Sequence, residues 1–210
     1  MKNSIVSYCR IKNNQIILNG ELVFSAPNAN FTDFSKQVYQ ELKFSYLKYF
    51  KMDNLSKLAF MASEVLLNGI KTNILLKPEE IAVYISNAGS SIDTDRKHNE
   101  SIQNRLNYFP SPSVFVYTLA NIMVGEICIK NNFQGENAFF IQPEFDAHFM
   151  ADYTNQKIEN GACKAALTGW VEYDNNKADA LLCWIEKSNQ ENNLEFNAES
   201  FYKLYQNNLN

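Results

Sequence analysis

The order of patterns between residues 135 and 171 narrows the possible folds more than any other feature of this chain. Residues 135–141 read as a short strand, 143–160 as a helix closed by Gly161, and 162–171 as a second, apolar strand. Strand, helix and strand in that order form a βαβ unit, whose crossover helix lets the two strands run parallel. All-α folds and antiparallel sandwiches are set aside, and an α/β fold with helices against the sheet is expected. The composition agrees: 46% of the residues are hydrophobic and 13% aromatic, enough to bury a core without disulfides or a structural metal.

Upstream, residues 5–11 and 15–24 read as two strands joined by a turn at Lys12, Asn13 and Asn14. Residues 31–49 carry a helical stripe of Phe34, Val38, Leu42 and Leu47, and Asp53-Asn54 can cap a second helix whose apolar stripe begins at Leu55 and Leu58. Residues 80–86 form a compact apolar strand that breaks into Asn87-Ala88-Gly89-Ser90-Ser91, a small-residue loop of the kind that carries sites. After a polar stretch over 93–106, residues 114–129 read as one long helix buried on most sides. Residues 172–186 continue as strand, a turn at Asp174-Asn175-Asn176 and strand, and 198–205 as a last amphipathic helix. One domain over residues 1–210 is expected, with strands 82–86, 138–141 and 162–167 central in a mixed, mostly parallel sheet.

With 19 Lys and Arg against 23 Asp and Glu and no basic run, the chain has no electrostatic footprint for a phosphate backbone, which excludes nucleic acid as an expected partner. The N-terminal stretch lacks the apolar core of a signal peptide and no apolar run reaches the length of a membrane span, so a cytoplasmic location is expected. Cys9, Cys128, Cys163 and Cys183 lie far apart without a C-x-x-C pair, and read as small buried hydrophobes. The tightest polar cluster is Glu144, Asp146 and His148. On a helix only Glu144 and His148 would share a face. No third ligand stands at a recognised spacing, so neither a metal nor another cofactor is expected. Both acids would equally suit the positive end of a helix.

The order of features from Pro110 to Glu172 says more. Pro112-Ser113 precedes a helical stretch with Asn121 and Val124-Gly125. Gly135-Glu136-Asn137 then opens a strand, and Gly161 is followed by Ala165-Ala166-Leu167-Thr168-Gly169-Trp170-Val171-Glu172. Upstream, residues 82–89 supply a strand and a Gly-containing turn. In order and spacing this resembles the N-terminal half of the β-ketoacyl-acyl-carrier-protein synthases of the thiolase fold, best over residues 45–175. The resemblance implies half of a thiolase-like fold: an α/β domain with a mixed, mostly parallel sheet flanked by helices.

In the ungapped register from Gly135 to Glu172, the family's nucleophilic Cys falls at Glu144. A carboxylate there cannot form the acyl thioester. The resemblance further implies that 210 residues span about half a synthase, without the half in which the family keeps its two catalytic His residues. No catalytic residue is therefore expected. The implied role is that of a chain-length factor, a silent partner of a true β-ketoacyl-ACP synthase in fatty-acid, polyketide or aryl-polyene-type pigment synthesis, meeting the acyl carrier protein indirectly. Such a protein would work as a heterodimer, or with itself as a homodimer. Gly89, Phe115, Phe139, Phe140, Phe145 and His148 are the expected lining of a substrate site or acyl tunnel, although aromatics at such positions also serve as plain core. Two alternatives stand beside this reading. One is a homodimeric acyl-binding scaffold; the other is an enzyme in which Glu144, assisted by His148, acts on a carrier-bound acyl or malonyl group.

Overall fold

The computed structural model describes residues 1–70, 75–106, 108–190 and 193–206. Its centre is one mixed sheet in the order β3-β2-β1-β7-β6-β4-β5, with a short β8 pairing β1. The parallel part comprises β6 (Ala165–Asp174), β4 (Ile81–Asn87) and β5 (Asn137–Ile141). These three strands were expected at the centre of the sheet; they form one end of it instead, with β5 at the edge, and the two strands of the βαβ unit flank β4 rather than each other. Antiparallel pairing extends the sheet through β7 (Lys177–Ser188), β1 (Lys2–Lys12), β2 (Gln15–Leu18) and β3 (Glu21–Ser25), with β8 (Leu194–Glu195) at the start of β1.

Asparagines in left-handed turns make the hairpins. Asn175 and Asn176, at φ 49° and 60°, join β6 to β7, the geometry a two-residue hairpin needs. A second such turn at Asn19 and Gly20, at φ 51° and 90°, divides the strand expected over 15–24 into β2 and β3. Asn19 is further held because its side-chain oxygen accepts from the Tyr8 N–H at 2.8 Å.

Helices cover both faces. On one, α1 (Phe31–Glu41), α2 (Asn54–Asn68) and α5 (Ile122–Asn131) close a core that includes Phe34, Leu58, Val83, Ile127 and Trp184. On the other, α6 (Ala147–Glu159) and α7 (Ala198–Gln206) close a core of Tyr84, Phe145, Met150, Trp170, Cys183 and Phe201. β4 lies between the two layers and is buried along its whole length, which accounts for its unbroken apolar run. The α2 start is as expected: Asp53 accepts from the Ser56 N–H at 2.9 Å and also takes the Thr94 hydroxyl at 2.7 Å, tying it to α3 (Ile92–Ile102).

Three helical expectations change. The first helix stops at Glu41; the chain reverses through Lys43 at φ 53° and makes a separate 3-10 turn over Leu47–Lys51. The long helix expected over 114–129 is broken into α4 (Pro112–Val116) and α5. Between them Tyr117 turns inward to donate to buried Glu126 at 3.0 Å, the Thr118 hydroxyl donates to the Phe115 carbonyl at 2.7 Å, and the Thr118 carbonyl accepts from Ser91 Oγ at 2.8 Å. Such side-chain bonds compete with the helical ladder. Nor is this stretch buried on most sides, since Phe115 and Leu119 are 56% and 54% exposed. The third change, at the start of α6, belongs to the site. No helix among the described residues is long and apolar enough to cross a membrane.

Candidate functional site

Parallel strands bring their C-terminal ends to one side of a sheet, and the loops that follow them converge there. After β4 comes Ala88-Gly89, after β5 the loop 142–146, and β6 presents Trp170 and Glu172 at its end. The first two loops are stitched together by the Gln142 N–H donating to the Asn87 carbonyl at 2.9 Å. The first and third are joined by the Glu172 carboxylate, which accepts from the Ala88 and Gly89 N–H groups at 2.6 and 2.9 Å. A Cβ at Gly89 would lie 2.8 Å from Glu172 Oε1, so a side chain there would have to push the carboxylate aside.

Two clefts meet on these loops. One, of about 650 Å³, lies toward β6; the other, of about 730 Å³, lies toward α6 and the start of α7. Pro143, Glu144, Phe145 and Tyr202 border both. Glu144 is therefore central, but not at a helix start as expected. Asp146 is the N-cap of α6, with extended backbone and a side chain that accepts from the Phe149 N–H at 2.9 Å. Residues before an N-cap lie outside the helix, which leaves Glu144 exposed on the loop with no hydrogen-bond or ion-pair partner among the described residues.

Of the other residues singled out from sequence, Gly89 borders the first cleft, His148 the second, and Phe145 both. Phe145 is buried, its ring 5.0 Å from Phe201, 4.5 Å from Tyr205 and 6.1 Å from Trp170. The remaining three are elsewhere. Phe139 packs toward the α5 layer. Phe140, on the opposite face of β5, meets Phe149 and Tyr153. Phe115 is on α4, 5.3 Å from the His98 ring.

Sequence reasoning did not find Asp179, Tyr202 and Tyr205, contributed by β7 and α7. The only trace of them was two tyrosines spaced i, i+3 on an amphipathic helix. Asp179 and Tyr205 close the cleft through Arg10, which is only 1% exposed. Its guanidinium pairs with Asp179, donates to the Ala180 carbonyl at 2.9 Å and to the Tyr205 carbonyl at 3.1 Å, and lies 4.7 Å from the centre of the Tyr205 ring. The Tyr205 hydroxyl donates to Asp179 at 2.9 Å. Burial, and then the Asp179 charge, push that hydroxyl well above an ordinary phenol.

Solved structures share this architecture. The ishigamide ketosynthase/chain length factor superposes with a TM-score of 0.61 at 14% identity, covering 92% of this chain and 64% of that one. The complex of the ketosynthase ApeO with its chain length factor ApeC from Xenorhabdus doucetiae gives 0.58 at 12% identity, covering 90% and 80%. A β-ketoacyl synthase from Burkholderia phymatum STM815 gives 0.56 at 12%, covering 89% and 59%. The fold is that of the ketosynthases. No family model and no curated protein matches the sequence. The ungapped stretch Gly135–Glu172 that resembled this fold is β5, α6 and β6, and so coincides with much of its parallel part. Glu144 lies on the β5–α6 connection of the ketosynthase fold.

Proposed function

We propose that the chain is a catalytically silent, chain-length-factor-like subunit that pairs with an active β-ketoacyl-ACP synthase in cytoplasmic fatty-acid- or polyketide-type synthesis, and meets the carrier protein through that partner. The observation that carries this reading is the distribution of apolar surface. Tyr108, Phe109, Phe115, Val116 and Leu119 are 45–78% exposed within one short run leading into α5. Ile141, on the open edge strand β5, is 62% exposed. Large side chains concentrated in this way are typical of protein interfaces, and an unpaired edge strand invites a neighbour. The outer faces of α6 and α7 are more polar, presenting Asp152, Gln156, Glu159, Glu199 and Lys203 beside the rings of Phe149 and Tyr202. Further support comes from the carboxylate of Glu144, which cannot serve as an acyl-accepting nucleophile, and from structural neighbours described as ketosynthase/chain length factor pairs. On this reading Phe115 and the half-buried β5 rings Phe139 and Phe140 face the partner and limit product length.

The test is co-purification from the native cell with a tag on this chain. A stoichiometric ketosynthase in the eluate is expected, and a Phe115→Asp variant of the same thermal stability should lose it. Removing a buried Phe from an interface forfeits about 1.5–3 kcal/mol, at least about tenfold in affinity, before the added charge is counted. In an assembled complex Glu144→Gln should leave turnover nearly intact; loss of all product would move the reading to an enzyme that uses Glu144. Recovery of the chain as a monomer without any ketosynthase would sink the proposal.

A further inference from the structure

The 3-10 turn over Leu47–Lys51 has no role in the pairing proposed above, yet it holds large apolar groups out in solvent. Side chains three apart in a 3-10 helix eclipse one another, so the turn has three distinct faces. Tyr49 points inward, flanked by Tyr46 and Met52. Tyr49 and Met52 are buried, Tyr46 stacks on Phe60 at 5.4 Å, and the Tyr49 hydroxyl donates to the Ser35 carbonyl at 3.0 Å. Leu47 and Phe50 form the second face and are 84% and 53% exposed. Lys48 and Lys51 form the third. The seated tyrosine fixes the orientation of the other two faces, so Leu47 and Phe50 cannot fold back onto the core.

The charge around this apolar face has one sign. Residues 42–52 hold three lysines and no acid. Lys48 reaches the buried Glu126 at 2.8 Å, whereas the side chains of Lys43 and Lys51 have no hydrogen-bond or ion-pair partner among the described residues. Of the two acids that flank the stretch, Asp53 is already engaged by Ser56 and Thr94. The other exposed apolar groups lack this setting: residues 108–119 contain no lysine or arginine, and Leu22 and Val23 on β3 follow Glu21. Apolar groups bordered by unpaired cations suit an anionic bilayer, where the former enter the boundary between headgroups and acyl chains while the ammonium groups stay hydrated among the headgroups. A protein partner suits them less, because lysines are depleted from interface cores, where their charge would have to be desolvated. We propose that this turn docks the chain on an anionic lipid surface, with Leu47 and Phe50 inserted and Lys43 and Lys51 against the headgroups. The proposal goes beyond the subunit role and does not rest on it.

The experiment is flotation of the purified chain on a density gradient with vesicles of phosphatidylcholine alone, or of phosphatidylcholine and phosphatidylglycerol in equal parts. The chain should float with the mixed vesicles and not with the neutral ones, and high salt should release it. Leu47→Ser combined with Phe50→Ser should abolish flotation. Both side chains stand largely outside the core, so this variant should melt with the parent. Lys43→Gln with Lys51→Gln should weaken binding about fivefold per lysine. Leu22→Ser, which removes an exposed apolar group without neighbouring lysines, should float like the parent. Absence of flotation on the mixed vesicles, equal flotation on the neutral ones, or a loss with Leu22→Ser as large as with the Leu47 and Phe50 pair would each overturn the proposal. So would a Leu47→Ser/Phe50→Ser chain that still floats but no longer recovers a ketosynthase on co-purification, since the turn would then belong to a protein interface.

Discussion

Phe145→Ala tests whether α7 is anchored at the site by packing. The Phe145 ring is 6% exposed and wedged among Trp170, Phe201 and Tyr205, with centroid distances of 4.5–6.1 Å. A buried Phe→Ala change destabilises by about 3–5 kcal/mol, the lower part of the range applying where the surroundings can relax. Phe145 borders two open clefts, so about 3–4 kcal/mol is expected here. With an unfolding entropy of about 2.1 cal/mol/K per residue, a chain of 210 residues loses about 7–9 °C of melting temperature. Calorimetric melts of the parent, Phe145→Ala and Phe145→Leu would measure this, with Leu restoring more than half of the loss. If Phe145→Ala melted within about 2 °C of the parent, the ring would not be core. Phe145 would then be free to act as the tunnel wall suggested by its place beside Glu144.

At Gly135, ahead of β5, an added Cβ would lie 2.3 Å from the Ile81 carbonyl oxygen, a backbone atom that cannot swing aside. Gly135→Ala should therefore displace β5 from β4 and lower the melting temperature by at least as much as Phe145→Ala; a parent-like melt would refute the close approach. Asp53 gives a pH prediction. Burial raises its carboxyl above the ordinary value of 3.8, despite the hydrogen bonds from Ser56 and Thr94. The folded state then holds the proton to higher pH than the unfolded one, so this group makes stability fall as pH rises from 3.8 through the raised folded value. Asp53→Asn keeps a capping oxygen without the titration, and its urea midpoint relative to the parent should climb across that window. A difference flat in pH would refute the assignment.

What the sequence made legible, and what it hid, follows from where each signal resides. β4 and β6 are buried on both faces, and their apolar runs announce that directly. The cap at Asp53 and the turn at Asn175-Asn176 are local chemistry, readable from a few neighbours. The broken helix between α4 and α5 is another matter. Its apolar spacing is helical throughout, and the interruption depends on Glu126 and Ser91, which reach Tyr117 and Thr118 only after the chain has folded. The start of α6 was misplaced because Glu144 and Asp146 both suit a helix N-terminus. Only the bond from the Phe149 N–H to Asp146 decides between them. Asp179 and Tyr205 stayed hidden because their partner is Arg10, at the opposite end of the sequence, and no spacing rule links them.

The position of α7 bears on where a partner can sit. It packs beside α6 and seals the core of Phe145, Trp170, Phe196 and Phe201. The surface that α6 and α7 turn outward mixes the exposed rings of Phe149 and Tyr202 with Asp152, Glu159 and Glu199, so a further layer laid on it would have to desolvate those carboxylates. The other face of the sheet is covered by α1, α2 and α5. Exposed apolar side chains also occur on β3 (Leu22, Val23) and the 3-10 turn (Leu47, Phe50), but the densest run is the approach to α5, and the edge strand β5 adds Ile141. A partner is thereby directed to the side of the sheet, away from the cleft mouth bordered by Tyr202. A subunit docked there can shape its neighbour's pocket through Phe115 while leaving the clefts around Glu144 open.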